Sequence, residues 1–391
     1  MRSFMGRWLA GGVAAAMLSA TAMAAEPGVT DDRILIGEIA PLTGAAAVGS
    51  LGLVAGNRLA VMEANANGGV NGRQLELLTR DDGYVPARTV QAARDLLNSE
   101  KVFALAATSG SASSDAILPM LRQMGVPSIN VLSFPPSFFD PPVANIFVAG
   151  ATHPDTTYQG MLQMNERFPD RAWAVILPDD TLGSLMGQGV TRAAEELGLN
   201  IAYRADYRRG QQDFSAEMLA ASQAGAEIVF AGGIVIENIA MVRELERLGK
   251  DIPIVISWIG RNAPSDLQPM GQAVKNLYLI DYVVADETPE GQAFRELAEK
   301  YLPADQMAHF NRYTMVGYAG TRVLIDAMSR CEELTRECTV EQLEATNGFD
   351  PGIMAPMSFS PDDHFSRQDL SLMRANPETF AFEPVKEGKA D

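Results

Sequence analysis

The sequence predicts an α/β protein of two lobes, each a parallel β-sheet with helices on both faces. Apolar runs of strand length alternate with amphipathic segments of helix length through residues 34–256. The alternation falls into two series of single-domain size, and the second begins near Gly150. The tail that follows contains too few elements for a third domain, so we expect it to complete the first two lobes.

The first series opens with a strand at residues 34–39, a helix whose apolar face includes Leu51, Val54 and Val61, and a second strand at residues 75–78. A helix that links two strands of this length implies a parallel pair. Further strands are predicted at residues 101–107, 126–131, 146–148, 173–177, 201–203, 227–231 and 254–256, and late ones at 357–359 and 380–382. Both lobes are therefore expected to be Rossmann-like.

The chain is expected to cross between the lobes near Gly150, Tyr282 and Ala355. Three crossings form a hinge, and a hinge between two open sheets leaves a central cleft that can close. The predicted division is residues 26–150 with 283–355 in lobe 1, and residues 151–282 with 356–391 in lobe 2.

Residues 1–25 have the features of a secretory signal peptide. Arg2 and Arg7 are followed by an apolar run at residues 8–18, which is too short to span a bilayer, and by Ala-Met-Ala at residues 22–24. We therefore expect export to the periplasm.

Cys331 and Cys338 are the only cysteines. In an exported protein, a close pair more often forms a disulfide than two free thiols. Two cysteines with no neighbouring histidine cannot make a zinc site. We predict a Cys331–Cys338 bridge and no metal site.

The net charge of −18 argues against a nucleic-acid partner and against an anionic membrane surface. The sequence contains no dinucleotide-binding glycine motif, no phosphate-binding Walker loop, no G-x-S-x-G and no H-E-x-x-H. The three histidines lie in unrelated segments. We expect no catalytic activity and no cofactor.

Several short motifs carry a family resemblance. They are Ile-Gly at residues 36–37, Pro-Leu-Thr-Gly at 41–44, an Asn-to-Arg run at 67–73, Asp-Asp at 81–82, Asp-Phe-Ser at 213–215, Gly-Gly at 232–233 and the tail at 331–359. In these motifs the chain resembles the periplasmic binding proteins of the leucine/isoleucine/valine-binding type, which feed ABC importers. The resemblance implies a type I periplasmic binding protein fold, a small-molecule ligand and an inner-membrane ABC permease as partner.

In open α/β sheets, ligands bind at the carboxyl ends of the strands. The loops predicted at these ends are residues 43–49, 108–114, 132–134, 179–183, 232–238 and 257–262. Two facing lobes would bring all six loops to one cleft.

The strongest polar candidate is Ser109-Gly110-Ser111, which joins a strand to a helix N-terminus. Backbone N–H groups there suit a carboxylate and need no basic side chain. The resemblance implies that this is the carboxylate-binding loop of the family. The alternative is a serine-rich cap that serves only its own helix. We expect Ser109 and Ser111 to bind the ligand, Ser111 above all.

The chain departs from the amino-acid binders of this family at several implied ligand positions. Val48, Leu182 and Ile234 stand where the family often has tyrosine, and Ile259 falls where the acid for the ligand ammonium is expected. The cleft is therefore predicted to be more apolar than the family norm. An ammonium desolvated there without an acid would be costly.

Residues at neighbouring strand ends extend the predicted site. Leu132, Ser133 and Phe134 occupy adjacent positions of lobe 1, and Trp258 follows a strand of lobe 2. Phe134 and Trp258 suit either a cleft wall or a core. We expect cleft walls, because each follows a strand end.

Three charged residues could set the charge preference of the cleft. Glu237 or Asp180 could supply the missing negative charge, and Arg261 could reach an anionic ligand. For each of them the alternative is a solvated loop charge.

We therefore expect a periplasmic solute-binding protein that captures a small hydrophobic amino acid or an apolar or aromatic carboxylate and delivers it to an ABC importer. The alternative is a ligand-sensing receptor subunit on the same fold, not coupled to transport.

Overall fold

The structure is a computed structural model that describes residues 26–44, 46–108, 110–132, 134–261 and 267–385. Two β-sheets with flanking helices lie within these ranges, which confirms the predicted fold class. The predicted signal peptide at residues 1–25 lies outside the described residues, as do Ser109 and Ser133.

The first sheet is formed by parallel strands from both ends of the chain. These are β1 (Arg33–Ala40), β2 (Gln74–Asp81), β3 (Ala104–Thr108), β4 (Ser128–Asn130), β5 (Ile146–Gly150) and β11 (Phe365–Arg367). Their order across the sheet is β11-β5-β4-β3-β1-β2. β1 and β2 pair in parallel, as the first strand–helix–strand unit predicted.

Helices that accompany the first sheet come from the first and last thirds of the chain. They are α1 (Ala47–Ala66), α2 (Pro86–Arg94), α3 (Ser111–Met124), α8 (Pro289–Tyr301), α9 (Ala304–Met307), α10 (Arg312–Ser329) and α11 (Arg336–Glu344). Glycines allow α1 and α10 to approach closely: a Cβ on Gly56 would lie 2.1 Å from the Thr314 carbonyl oxygen. This contact fixes the start of α10 beside α1.

The second sheet is mostly parallel, and its strands are buried. It contains β6 (Trp173–Pro178), β7 (Ile201–Tyr207), β8 (Ile228–Ala231), β9 (Ile254–Ser257), β10 (Leu277–Asp281), β12 (Ser371–Ala375) and β13 (Phe382–Pro384), in the order β13-β12-β10-β9-β8-β6-β7. β12 is antiparallel to both of its neighbours. The accompanying helices are α4 (His153–Arg167), α5 (Thr181–Leu197), α6 (Ser215–Gln223) and α7 (Val235–Arg247).

The tail differs from the prediction. Residues 356–391 were assigned to lobe 2, but β11 pairs in parallel with β5 of the first sheet. Phe365 of β11 packs against Phe134 and Phe139 of lobe 1, which explains the placement. The structure has no strand at residues 357–359, and β10, β11 and β12 are additional to the predicted strands.

Segments that connect the two sheets run side by side. The Gln368 N–H donates to the Gly150 carbonyl at 2.9 Å, and the Val284 N–H, after β10, donates to the carbonyl of Ile353, which belongs to lobe 1, at 3.0 Å. The last passage from the first sheet to the second therefore follows β11 rather than lying near Ala355. The other predicted domain boundaries stay predictions.

Candidate functional site

Loops at the carboxyl ends of the two sheets contact each other. The Tyr313 hydroxyl at the start of α10 donates to the Ile259 carbonyl, which follows β9, at 3.4 Å. The Phe134 ring of lobe 1 meets the Trp258 ring edge-on, with 6.2 Å between ring centres. These contacts define the candidate cleft, which lies at the edge where parallel α/β sheets bind ligands.

The start of α3 lies against an exposed tyrosine that the sequence analysis did not identify. A Cβ on Gly110 would lie 2.7 Å from the Tyr84 ring, and Gly110 has φ +88°. Tyr84 is 55% exposed. Ser111 is the first residue of α3 and is partly buried, so it lies inside the helix rather than at its cap.

Predicted apolar residues of lobe 1 differ in exposure. Val48, in the first turn of α1, is 60% exposed. Leu132 is partly buried against the core of lobe 1. Phe134 is buried, and its ring covers Gly150, where a Cβ would lie 2.3 Å from the ring. Val48 is therefore a surface residue, Phe134 belongs to the core of lobe 1, and the predicted ligand contacts of both stay predictions.

Trp258 occupies the seam between the lobes and is 2% exposed. Its Nε1 donates to the Thr156 hydroxyl at 3.2 Å, and its ring stacks on His153 with 5.2 Å between centres. Burial lowers the pKa of His153 to about 4, so this ring is neutral at pH 7. The Trp258 indole is thus held by lobe 2 and meets lobe 1 through Phe134.

Leu182 and Ile234 stand at helix starts of lobe 2. Leu182 is the second residue of α5, and Ile234 precedes the first residue of α7. Both side chains are partly buried. Their positions at the carboxyl ends of β6 and β8 agree with the predicted loops.

Glu237 is neither a solvated charge nor a free acid. It is fully buried and accepts hydrogen bonds from the Tyr207 hydroxyl at 2.7 Å, Gly210 N at 2.8 Å, Arg209 Nη1 at 2.9 Å and Ile234 N at 3.0 Å. Burial, together with Glu237, raises the pKa of the Tyr207 phenol. Glu237 is therefore not a solvated loop charge, and its carboxylate serves the start of α7.

Asp180 shares the same arginine. Arg209 donates to Asp180 through Nη2 at 2.7 Å and Nε at 3.1 Å, and Gly183 N donates to Asp180 at 3.2 Å at the start of α5. Arg209 is a residue that the sequence analysis missed. It forms an ion pair with each of the two acids that could have served a ligand ammonium.

Arg261 is not a solvated charge either, since its side chain is 2% exposed. It pairs with Asp281 at 3.0 Å and with Asp286 at 3.1 Å. Its Nη2 also donates to the Val284 carbonyl at 3.2 Å. Arg261 therefore stabilises the connection between the lobes.

Arg312 is a further residue that the sequence analysis missed. It is the first residue of α10, is fully buried and pairs with Asp281 at 2.8 Å. Burial opposes ionisation of Asp281, but Arg312 and Arg261 hold its pKa below the usual range. The one available signal was an arginine at the start of a helix whose first half is otherwise uncharged.

The sequence matches the periplasmic binding protein family over residues 33–380. This chain belongs to that family. Among curated relatives, the Leu/Ile/Val-binding protein homolog 7 of Brucella abortus is 22% identical over 344 residues, which cover 84% of this chain and 85% of the relative. The leucine-, isoleucine-, valine-, threonine- and alanine-binding protein of Pseudomonas aeruginosa is 27% identical over 221 residues, covering 56% and 59%.

Solved structures share the fold of this periplasmic binding protein. A branched-chain amino acid ABC transporter protein from Thermus thermophilus with bound valine has a TM-score of 0.79 at 19% identity, covering 93% of this chain and 98% of its own. A solute-binding protein from R. palustris in complex with 4-hydroxybenzoate has a TM-score of 0.78 at 18% identity, covering 92% and 97%.

The family and these neighbours are substrate-binding proteins rather than enzymes, which agrees with the prediction that the chain has no catalytic activity. The predicted disulfide is present, with Cys331 and Cys338 joined and their Cα atoms 6.0 Å apart. Across the described ranges, no cluster of histidine, cysteine and acidic residues could hold a metal ion. None of the described helices is long and apolar enough to cross a membrane.

Proposed function

We propose that this periplasmic binding protein captures a small apolar or aromatic carboxylate between its lobes and delivers it to an inner-membrane ABC permease. Hydrophobic amino acids are the next class in our order of preference. The predicted signal peptide supports a periplasmic location, where such a protein meets its permease.

The proposed ligand class rests on the partners that the acids of lobe 2 already have within the protein. Glu237 already accepts four hydrogen bonds from the protein, which is about what a carboxylate accommodates. Asp180 is held by Arg209 and Gly183, and Ile259 is apolar. The ammonium of an amino acid would therefore lose its hydration without gaining an unpaired acid.

The start of α3 supports the proposal that the ligand carries a carboxylate. Backbone N–H groups of a helix's first turn, together with the helix dipole, stabilise an anion without a basic side chain. Ser111 adds a hydroxyl at this position. Phe134 and Trp258 meet where the lobes touch, and we propose that separation of the lobes exposes their rings to the rest of the ligand.

Solved structures with this fold contain ligands of both classes. The Thermus thermophilus structure contains valine, and the R. palustris structure contains 4-hydroxybenzoate. Both share this fold at under 25% identity, so the choice between an amino acid and a plain carboxylate depends on the residues of this cleft.

Isothermal titration calorimetry of the mature protein with leucine, 4-methyl-2-oxopentanoate and benzoate tests the proposal. We expect one of the two acids without an amino group to bind more tightly than leucine. Tighter binding of leucine would contradict the proposed ligand class.

A further inference from the structure

Arg312 is fully buried, and one of its nitrogens has no hydrogen-bond partner. Nε and Nη2 donate to Asp281 over distances of 2.8 to 3.2 Å. Nη1 finds no acceptor in the part of the chain that the structure describes. A buried donor without an acceptor is costly, so the folded chain leaves this group unsatisfied.

Three aromatic rings surround the Arg312 guanidinium. Its central carbon lies 4.5 Å from the ring centre of Tyr282, 4.7 Å from that of Trp258 and 5.3 Å from that of Tyr313. Ring faces stabilise a cation. They do not supply the oxygen lone pair that the free Nη1 group lacks.

A continuous set of residues connects Arg312 with the start of α3. Tyr313 follows Arg312, and burial raises the pKa of its phenol, with the nearby Tyr84 adding to the effect. The Tyr84 ring in turn lies against Gly110. The Arg312 guanidinium packs on Trp258, whose ring meets Phe134 of lobe 1, so Arg312 lies beside the contact between the lobes.

The charges around Arg312 are already balanced. Asp281 and Asp286 are paired with Arg312 and Arg261, and all four side chains are buried. A second ligand carboxylate would bring an uncompensated charge into this cluster. An uncharged carbonyl or hydroxyl oxygen would satisfy Nη1 without doing so.

We propose that Arg312 is a specificity-determining residue whose Nη1 donates a hydrogen bond to a second, uncharged oxygen of the ligand. This inference rests on the proposed function, because it requires a carboxylate ligand in the cleft. It narrows the ligand class to small apolar acids that also carry a carbonyl or hydroxyl group.

Two matched pairs of acids test the inference on the wild-type protein by calorimetry. The pairs are 4-methyl-2-oxopentanoate with 4-methylpentanoate, and 4-hydroxybenzoate with benzoate. In at least one pair, the acid with the extra oxygen should bind about tenfold more tightly or better, as expected for a hydrogen bond to a charged group. Equal affinities within both pairs would overturn the inference and leave the proposed function standing. Binding of leucine with no binding of any acid would overturn both.

The variant Arg312→Lys tests the residue itself. Lysine keeps the charge opposite Asp281 but lacks the planar fork that lets arginine serve two partners. We expect the affinity ratio within the discriminating pair to fall to near one, whatever the variant does to the affinity for the acid that lacks the extra oxygen. A ratio that survives the substitution would overturn the assignment.

Arg322→Lys is the matched control. Arg322 lies on the same helix and pairs with Glu63 of α1, within lobe 1 and away from the seam. This variant should keep the wild-type ratio. If Arg312→Lys fails to fold, as judged by circular dichroism, the wild-type affinity ratios alone decide the inference.

Discussion

Arg209 determines whether Asp180 and Glu237 can pair with a ligand. Each acid alone would be a candidate partner for a ligand ammonium, but one guanidinium reaches both, at 2.7 Å and 2.9 Å. The Glu237 side chain is 1% exposed, and Arg209 is the charged member of its four hydrogen-bond donors. At the scale of single residues, both acids are therefore already paired within the protein.

Ser111 carries a prediction at the same scale. Replacing Ser111 with tryptophan should abolish ligand binding, because a bulky side chain at the start of α3 would occupy the space of the ligand carboxylate. The melting temperature of the ligand-free protein should not fall, since Ser111 is only partly buried. Calorimetry with the preferred acid and a thermal melt measure the two effects.

Ser215→Trp provides the matched control, because Ser215 is likewise the first residue of a helix and partly buried, but starts α6. It should leave ligand affinity intact. Unchanged affinity of the Ser111→Trp variant would remove Ser111 from the site.

The sequence was sufficient to place Ser111 at the start of a helix, because a serine- and glycine-rich segment between a strand and a helix marks a helix N-terminus. It was not sufficient for Arg209 or Arg312. Arg209 lies 29 residues from Asp180, and Arg312 lies 31 residues from Asp281. Pairings at such separations depend on how helices and strands assemble, which no local pattern encodes.

At the scale of elements, Asp81 at the end of β2 holds the turn that follows β1. Its carboxylate accepts hydrogen bonds from Leu42 N, Gly83 N and the Thr43 hydroxyl, each at 2.9 Å. The bond from Leu42 N is the main cause that lowers the pKa of Asp81 to about 2, from an ordinary 3.8. The carboxylate thus stabilises the connection that leads to Val48.

This lowered pKa predicts an acid dependence of stability. A group whose pKa is lower in the folded state stabilises the fold above its unfolded pKa, and the benefit is lost as pH falls through the folded pKa. The free energy of unfolding should therefore lose the Asp81 contribution between pH 3.8 and about 2. Urea titrations of wild type and Asp81→Asn over this range measure it.

The Asp81→Asn variant should show a shallower loss of stability on acidification than wild type. Glu246→Gln, an exposed acid of α7, serves as the control and should follow the wild-type curve. Identical pH dependence in the wild type and Asp81→Asn would contradict the assigned role.

Helices and strands with a clear hydrophobic pattern were predicted well, whereas very short strands were not. β1 and β6 match their predicted positions because each strand contains a run of apolar residues, at 34–36 and 173–177. β11 has only 3 residues, so no alternation could reveal it, and its place in the first sheet depends on Phe365 packing against lobe 1 aromatics. Sequence patterns therefore identify the two lobes more reliably than they identify how the tail is shared between them.

For the whole molecule, the central claim is that two lobes close around a small acid. Connections between the sheets lie side by side at Gly150 and Gln368, and the connection at Val284 pairs with Ile353 of lobe 1, a geometry that suits a hinge. The start of α3 belongs to one lobe, and the Trp258 turn belongs to the other. Ligand contacts from both can exist together only when the lobes approach, so ligand binding should favour a more compact form.

Small-angle X-ray scattering of the mature protein, alone and saturated with the tightest-binding acid from the calorimetric series, tests this claim most directly. We predict a smaller radius of gyration for the wild type with the acid bound. Under the same conditions, the Ser111→Trp variant should keep the radius of gyration of the free protein. A radius of gyration that stays the same in the wild type when calorimetry shows the site to be full would contradict the account.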